Sequence, residues 1–166
     1  MGGSRGAQIL NDSMPMIFSK LNNPNIFIKH QIGQGKSSSY NGTSKVEVTE
    51  FIEDMQKAYL WADLCICRAG ALTISELIAT KTPCILVPYP YAADQHQLAN
   101  AKMLEDFGAG FIVEQNDNFS EQITDIISLL LKDQNKLNFM KGAYVPYQTP
   151  NAVVEFHSYI GELLSA

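Results

Sequence analysis

The sequence predicts an α/β fold, a Rossmann-like parallel sheet with helices on both faces. Three observations lead there. Short apolar runs alternate with stretches of helical periodicity, small residues crowd the turns where a run passes into a helix, and no internal repeat or low-complexity tract breaks the alternation. At 166 residues with 46% hydrophobic content, the chain is long enough for one core and too short for two typical domains. Residues 1–166 therefore read as a single unit.

Gly2-Gly-Ser-Arg-Gly-Ala7 opens the chain and is followed at helical spacing by Ile9, Leu10, Met14, Ile17, Phe18 and Leu21. Such a start suits a phosphate-holding loop that runs into a helix. An apolar strand ordinarily precedes that loop and is central in a doubly wound sheet; only Met1 stands in its place. About five buried aliphatic residues, at roughly 1.5–3 kcal/mol each, match a domain's net stability. The chain is accordingly expected to be a piece of a longer one, or to need a partner segment, and to be marginally stable or aggregation-prone by itself.

Asn25-Ile-Phe-Ile-Lys-His-Gln31 is the next expected strand, and the glycine- and serine-rich residues 32–42 read as a mobile surface loop. Val46-Glu-Val-Thr49 is a short strand, and Glu50-Phe-Ile-Glu-Asp-Met55 turns into a helix through Ala58, Tyr59, Leu60 and Trp61. That turn lies at the carboxyl edge of the sheet, where open α/β sheets bind ligands. Leu64-Cys-Ile-Cys67 and Pro83-Cys-Ile-Leu-Val87 are bounded apolar runs that suit buried parallel strands, the second leading into a loop stiffened by Pro88 and Pro90. Residues 95–105 follow as a helix closed by Gly108 and Gly110, and Phe111-Ile-Val113 is the last strand. Further helices are expected from Ser120 to near Lys132 and from Asn151 to near Leu164.

Arg68-Ala-Gly-Ala-Leu-Thr-Ile-Ser-Glu76 is the stretch richest in chemistry. Arg68 ends a strand, Ala69-Gly-Ala71 leave room for a ligand against the backbone, and a helical pattern begins at once. The N–H groups of Ala71, Leu72 and Thr73 then stand free at a helix N-terminus, an end that favours a phosphate. Glu76, about one turn in, cannot help a phosphate but can accept two hydrogen bonds from a ribose diol.

The net charge of −5 argues against non-specific nucleic-acid binding, which needs a basic face. No apolar run approaches the roughly 18 residues that would span a bilayer. The three cysteines read as reduced core residues of a cytoplasmic protein. Cys65 and Cys67, alternating on their strand, are expected to point to opposite faces and so neither to pair nor to chelate one metal.

Four stretches, Gly2-Gly-Ser-Arg-Gly-Ala7, Phe51-Ile-Glu-Asp-Met55, Arg68 to Glu76, and Asp94-Gln-His-Gln-Leu-Ala-Asn100, stand in a familiar order and spacing. Over essentially its whole length the sequence resembles the C-terminal, donor-binding half of the MurG family of glycosyltransferases. The resemblance implies one half of a GT-B fold, two Rossmann-like domains with the substrate cleft between them. It implies an inverting hexosyltransferase that moves N-acetylglucosamine from UDP-N-acetylglucosamine onto lipid I, undecaprenyl-pyrophosphoryl-MurNAc-pentapeptide, giving lipid II for peptidoglycan. It further implies that Ser4 and the amides near Leu72 and Thr73 hold the diphosphate and that Ala71 approaches the sugar through its backbone. Ile52 would contact uracil through its main chain, with Phe51 and Met55 walling the base pocket, and Glu76 would bind the ribose hydroxyls. His96 and Gln97 match the positions that read the sugar, although the family often carries glutamine where His96 stands. Asn100 either braces the loop or touches ligand, and Arg5 reads as a solvated side chain.

In that family the acceptor site, the membrane-association patch and the presumed catalytic histidine belong to the N-terminal half. The implied partners are therefore UDP-N-acetylglucosamine, an N-terminal acceptor domain and, through it, lipid I at the inner face of the cell membrane, with no catalytic residue in this chain. No cofactor is implied, and no Asp-x-Asp motif is present to hold a metal. A nicotinamide-dependent oxidoreductase would need Gly-x-Gly-x-x-Gly and an acid ending the second strand, where this sequence has Gly-Gly-Ser-Arg-Gly and His30-Gln31. A non-catalytic donor-binding subunit of a split glycosyltransferase is the other alternative.

Overall fold

The computed structural model describes residues 7–38, 40, 45–91 and 96–144. Ser4, Arg5 and the rest of the first glycine loop, Asp94 and Gln95, and the helix expected from Asn151 lie outside these residues. In chain order the elements are α1 (Gln8–Leu21), β1 (Ile28–Gln31), β2 (Val46–Thr49), α2 (Met55–Trp61), β3 (Cys65–Cys67), α3 (Ala71–Thr80), β4 (Cys84–Leu86), α4 (His96–Asp106), β5 (Gly110–Ile112), α5 (Phe119–Lys132) and α6 (Gln134–Gly142). All five expected strands form, each pairing is parallel, and the fold class is α/β as predicted.

Two differences from the sequence reading stand out. Among the described residues the strands make two ladders, β1-β2 and β3-β4-β5, instead of one sheet. An apolar cavity of about 460 Å³ lies between them, lined by Leu10, Met14 and Phe18 of α1, Tyr59 of α2, and Leu130 and Leu137 of α5 and α6. The second difference is α6, where no helix is expected from periodicity. Its start is set by Asp133, whose carboxylate accepts from the N–H groups of Asn135 and Lys136 and so satisfies two of the donors a helix leaves open.

Helices cover both faces of the three-stranded ladder. Cys65, Cys67, Cys84 and Leu86 point to one side, where they pack with Tyr59 of α2, Ile74 and Leu77 of α3 and Ala101 and Leu104 of α4. Ile85 and Val87 point to the other, against Leu10, Met14 and Ile17 of α1 and Phe119 and Ile123 of α5. This alternation corrects the expectation for the cysteines. Residues two apart on a strand share a face, so Cys65 and Cys67 lie side by side in one core cluster, and Ile66 between them packs on the opposite face. All three thiols are free and buried. Burial keeps Cys84 protonated well above the ordinary range of a thiol.

Pro15 sits inside α1 and has no N–H for the carbonyl of Asn11. That carbonyl instead accepts from Ser38 Oγ at 2.8 Å, while Asn11 Nδ2 donates to Ile32 O at 2.9 Å. The same stretch carries Gly35 N–H to Glu50 Oε1 at 3.2 Å, so the described part of residues 32–40 is tied to α1 and β2 instead of hanging loose.

His30, buried at the end of β1, has its Nδ1 2.7 Å from the hydroxyl of Tyr40, and burial pushes its pKa from 6.5 down to about 4. The neutral ring is the folded form. The stability it confers is therefore complete above pH ~6.5 and is lost as the pH falls towards ~4, by about 3 kcal/mol in all. Urea melts at pH 7 and pH 4.5 should show the wild-type chain losing clearly more stability than His30→Gln; equal losses would mean that another group carries the pH dependence.

Candidate nucleotide-sugar site

The strand-to-helix turn after β3 forms as the small residues dictate. Gly70 is the N-cap of α3 in extended conformation, φ −68° and ψ 149°, with no side chain capping the helix. The first helical bond runs from Ile74 N–H to Gly70 O, which leaves the N–H groups of Ala71, Leu72 and Thr73 ahead of the ladder. Ala71 and Leu72 are exposed, Leu72 at 75%, and a Cβ built on Gly70 would meet no described residue within 4 Å. Donors without a side-chain cap at the positive end of the helix dipole have the chemistry that suits an anion. Glu76 stands one turn further in, partly buried, and its Oε2 accepts from the hydroxyl of Tyr59 at 3.1 Å.

The residues around this turn hold it in place. Arg68, partly buried, donates from Nη1 to Val87 O at 3.0 Å and Pro88 O at 3.2 Å and from Nη2 to Gln115 Oε1 at 3.3 Å, with its guanidinium over the Tyr89 ring. It thus clamps the carboxyl ends of β3, β4 and β5 together. Asn100 donates from Nδ2 to Ala69 O at 3.0 Å and so braces the turn, the first of its two expected roles. Gln97 Oε1 accepts from Tyr89 N–H at 2.9 Å, tying α4 to the proline-stiffened loop. His96 is the first residue of α4 and is exposed.

The turn between β2 and α2 lies at the same edge. Phe51 is exposed at 58%, its carbonyl accepting from Thr49 Oγ1 at 2.8 Å. Ile52 N–H donates to Gln31 Oε1 at 3.1 Å, so a base reading the Ile52 main chain would use its carbonyl or displace Gln31. Met55 packs against the Tyr59 cluster instead of standing wholly in a pocket wall. The sequence reading overlooked Gln31, Tyr59 and Gln115; each works through a partner 17 to 47 residues away, and no local pattern announces it.

The expected residues Phe51, Ile52, Met55, Ala71, Leu72, Thr73, Glu76, His96 and Gln97 all fall on turns that follow the carboxyl ends of parallel strands, or in the first turns of the helices there. Among the described residues no group of three His, Cys, Asp or Glu side chains could hold a metal ion, and no helix is long and apolar enough to cross a membrane.

The profile of the glycosyltransferase family 28 C-terminal domain matches residues 1–153. The chain belongs to that family. It is 46% identical over 156 residues to the UDP-N-acetylglucosamine–N-acetylmuramyl-(pentapeptide) pyrophosphoryl-undecaprenol N-acetylglucosamine transferase of Haemophilus ducreyi, covering 92% of this chain and 43% of the relative. The enzyme of the same name from Actinobacillus pleuropneumoniae serotype 5b is 41% identical, with 92% and 44% covered. The crystal structure of MurG from Acinetobacter baumannii superposes with a TM-score of 0.82 at 36% identity, over 98% of this chain and 48% of that one. The calicheamicin glycosyltransferase CalG4 shares the fold alone, with a TM-score of 0.58 at 18% identity. The architecture is thus that of a C-terminal half of a GT-B glycosyltransferase, homologous to MurG, and the chain spans less than half the length of the curated relatives it matches.

Proposed function

We propose that this chain binds UDP-N-acetylglucosamine as the donor domain of an inverting N-acetylglucosaminyltransferase that forms lipid II from lipid I. The observation that carries this reading is the β3–α3 turn, where the first amides of α3, at Ala71, Leu72 and Thr73, precede its first helical bond and suit the diphosphate, and Glu76 stands one turn further in as an acceptor for a ribose diol. Ser4 completes the diphosphate contacts, Ala71 approaches the sugar through its backbone, Phe51, Ile52 and Met55 hold the base, and His96 and Gln97 read the sugar hydroxyls. An N-terminal domain brings lipid I from the inner face of the membrane. The acceptor hydroxyl attacks the anomeric carbon opposite UDP, the bond from that carbon to the diphosphate oxygen breaks, and UDP leaves with the electron pair. The hydroxyl's proton goes to a base on the acceptor side. This chain's part is to hold the donor and stabilise the negative charge that develops on departing UDP, which amides at a helix N-terminus do without reorganisation.

Calorimetric titration with UDP-N-acetylglucosamine, against UDP-galactose and NAD, tests the reading: selective binding supports it, and no binding by the folded chain overturns it for the chain alone. Glu76→Ala should weaken UDP binding by about 10- to 100-fold, the loss of charge-assisted hydrogen bonds worth roughly 1.5–3 kcal/mol. Unchanged affinity in the folded variant removes Glu76 from the site.

A further inference from the structure

We propose that Tyr59 is a positioning residue for ribose recognition, holding the Glu76 carboxylate ready for the diol; this rests on the reading of Glu76 given above. Tyr59 lies in α2, outside every motif that the resemblance brought forward, and is 2% exposed. Its hydroxyl donates to Glu76 Oε2 at 3.1 Å, and burial keeps that phenol protonated far above the usual range, so it acts as a donor throughout the physiological range. Its carbonyl lies 3.1 Å from Thr82 Oγ1. Thr82 Oγ1 lies 2.8 Å from Thr80 Oγ1, which donates back to the carbonyl of Glu76 at 2.8 Å. Two hydroxyl protons cannot serve all three of these contacts at once, so the firm links are Tyr59 to the Glu76 carboxylate and Thr80 to the Glu76 carbonyl, with Thr82 bridging either to Tyr59 O or to Thr80.

A glutamate side chain has three rotatable bonds, and ordering it weakens binding when the ligand must do it. The Tyr59 hydroxyl orders its carboxylate beforehand. One oxygen engaged by Tyr59 still leaves three lone-pair sites, more than the two that a diol requires. Because α2 begins directly after the turn of Phe51, Ile52 and Met55, the same tyrosine also sets the ribose acid relative to the base-side turn.

The test is the preference of the full chain for UDP over 2′,3′-dideoxyuridine diphosphate, which lacks the diol, measured by calorimetry. Tyr59→Phe removes the hydroxyl alone. It should weaken UDP roughly five- to tenfold and leave the dideoxy ligand unchanged, so that the preference shrinks. Glu76→Ala should abolish the preference, and adding Tyr59→Phe to it should cost nothing further. Equal weakening of both ligands by Tyr59→Phe, or an unaltered preference, overturns the positioning role while leaving Glu76 in the site. A wild-type chain with no preference, or with no affinity for either ligand, overturns the reading of Glu76 and this one together. Should Tyr59→Phe lower the melt below the assay temperature, both titrations are run at a temperature below the variant's melt, beside the wild type, and the change in preference is read there.

Discussion

Gly70→Val should abolish measurable UDP binding, a loss of about 100-fold or more, while the chain still folds. The expectation turns on two facts about one residue. Gly70 has an extended backbone at φ −68°, which valine adopts without strain, and among the described residues a Cβ there has nothing within 4 Å to strike. The fold therefore has little reason to object beyond the poorer N-cap, worth about 1 kcal/mol. A ligand does have reason. The new isopropyl group would stand over the amides of Ala71, Leu72 and Thr73, and charge-assisted bonds to a diphosphate cost roughly 1.5–3 kcal/mol each when they cannot form. Gly70→Ala should fall between the two. The check is calorimetry with UDP beside a thermal melt of each variant. Full affinity in Gly70→Val would mean that the diphosphate does not lie at this helix end.

Gly110→Val is the opposite case, a glycine that the fold itself requires. Gly110 opens β5 beside Cys84 in the ladder, and a Cβ there would lie 2.7 Å from Cys84 Sγ, 3.2 Å from Cys84 O and 3.8 Å from Leu104 Cβ. Cys84 and Leu104 are fully buried, and the carbonyl belongs to the strand, so neither side can yield without disturbing β4 or α4. A loss of about 3 kcal/mol or more is expected, a large share of a domain's net stability. The cooperative thermal transition followed by circular dichroism should be lost or moved far down. Gly110→Ala should be milder, and combining it with Cys84→Ala should recover part of the loss, since the sulfur is then gone and only the carbonyl is crowded. A wild-type melt for Gly110→Val would refute the packing argument.

The two glycines look alike in the sequence, each among small residues at the end of an element. Only the third dimension separates them, because the nearest atoms that crowd Gly110 come from a strand 26 residues earlier, while no described residue across the fold comes within 4 Å of a Cβ on Gly70. The same division runs through the whole chain. Features governed by residues within a turn or two of one another were legible: the five strands, the start of α3 at Ala71 and the end of α5 at Lys132. Hydrophobic periodicity and helix-end chemistry are local, and they survive into the fold. α6 escaped because a short helix with a mostly polar surface has little periodicity to show, and Asp133 was its one readable signal.

By itself, then, the sequence determined the parallel α/β class, the order of the five strands, the resemblance that the family comparison shows to be real, and the start of α3 at a glycine with no side-chain cap. Tertiary structure alone decided what surrounds that end. It set Arg68 across three strands, turned Asn100 and Gln97 into braces, placed Tyr59 against Glu76, and among the described residues parted the strands into two ladders about a cavity. The physical reason is distance along the chain. A hydrogen bond between residues 17 or 47 apart leaves no periodic trace, and it forms only when the packing of both faces has already brought its two ends together.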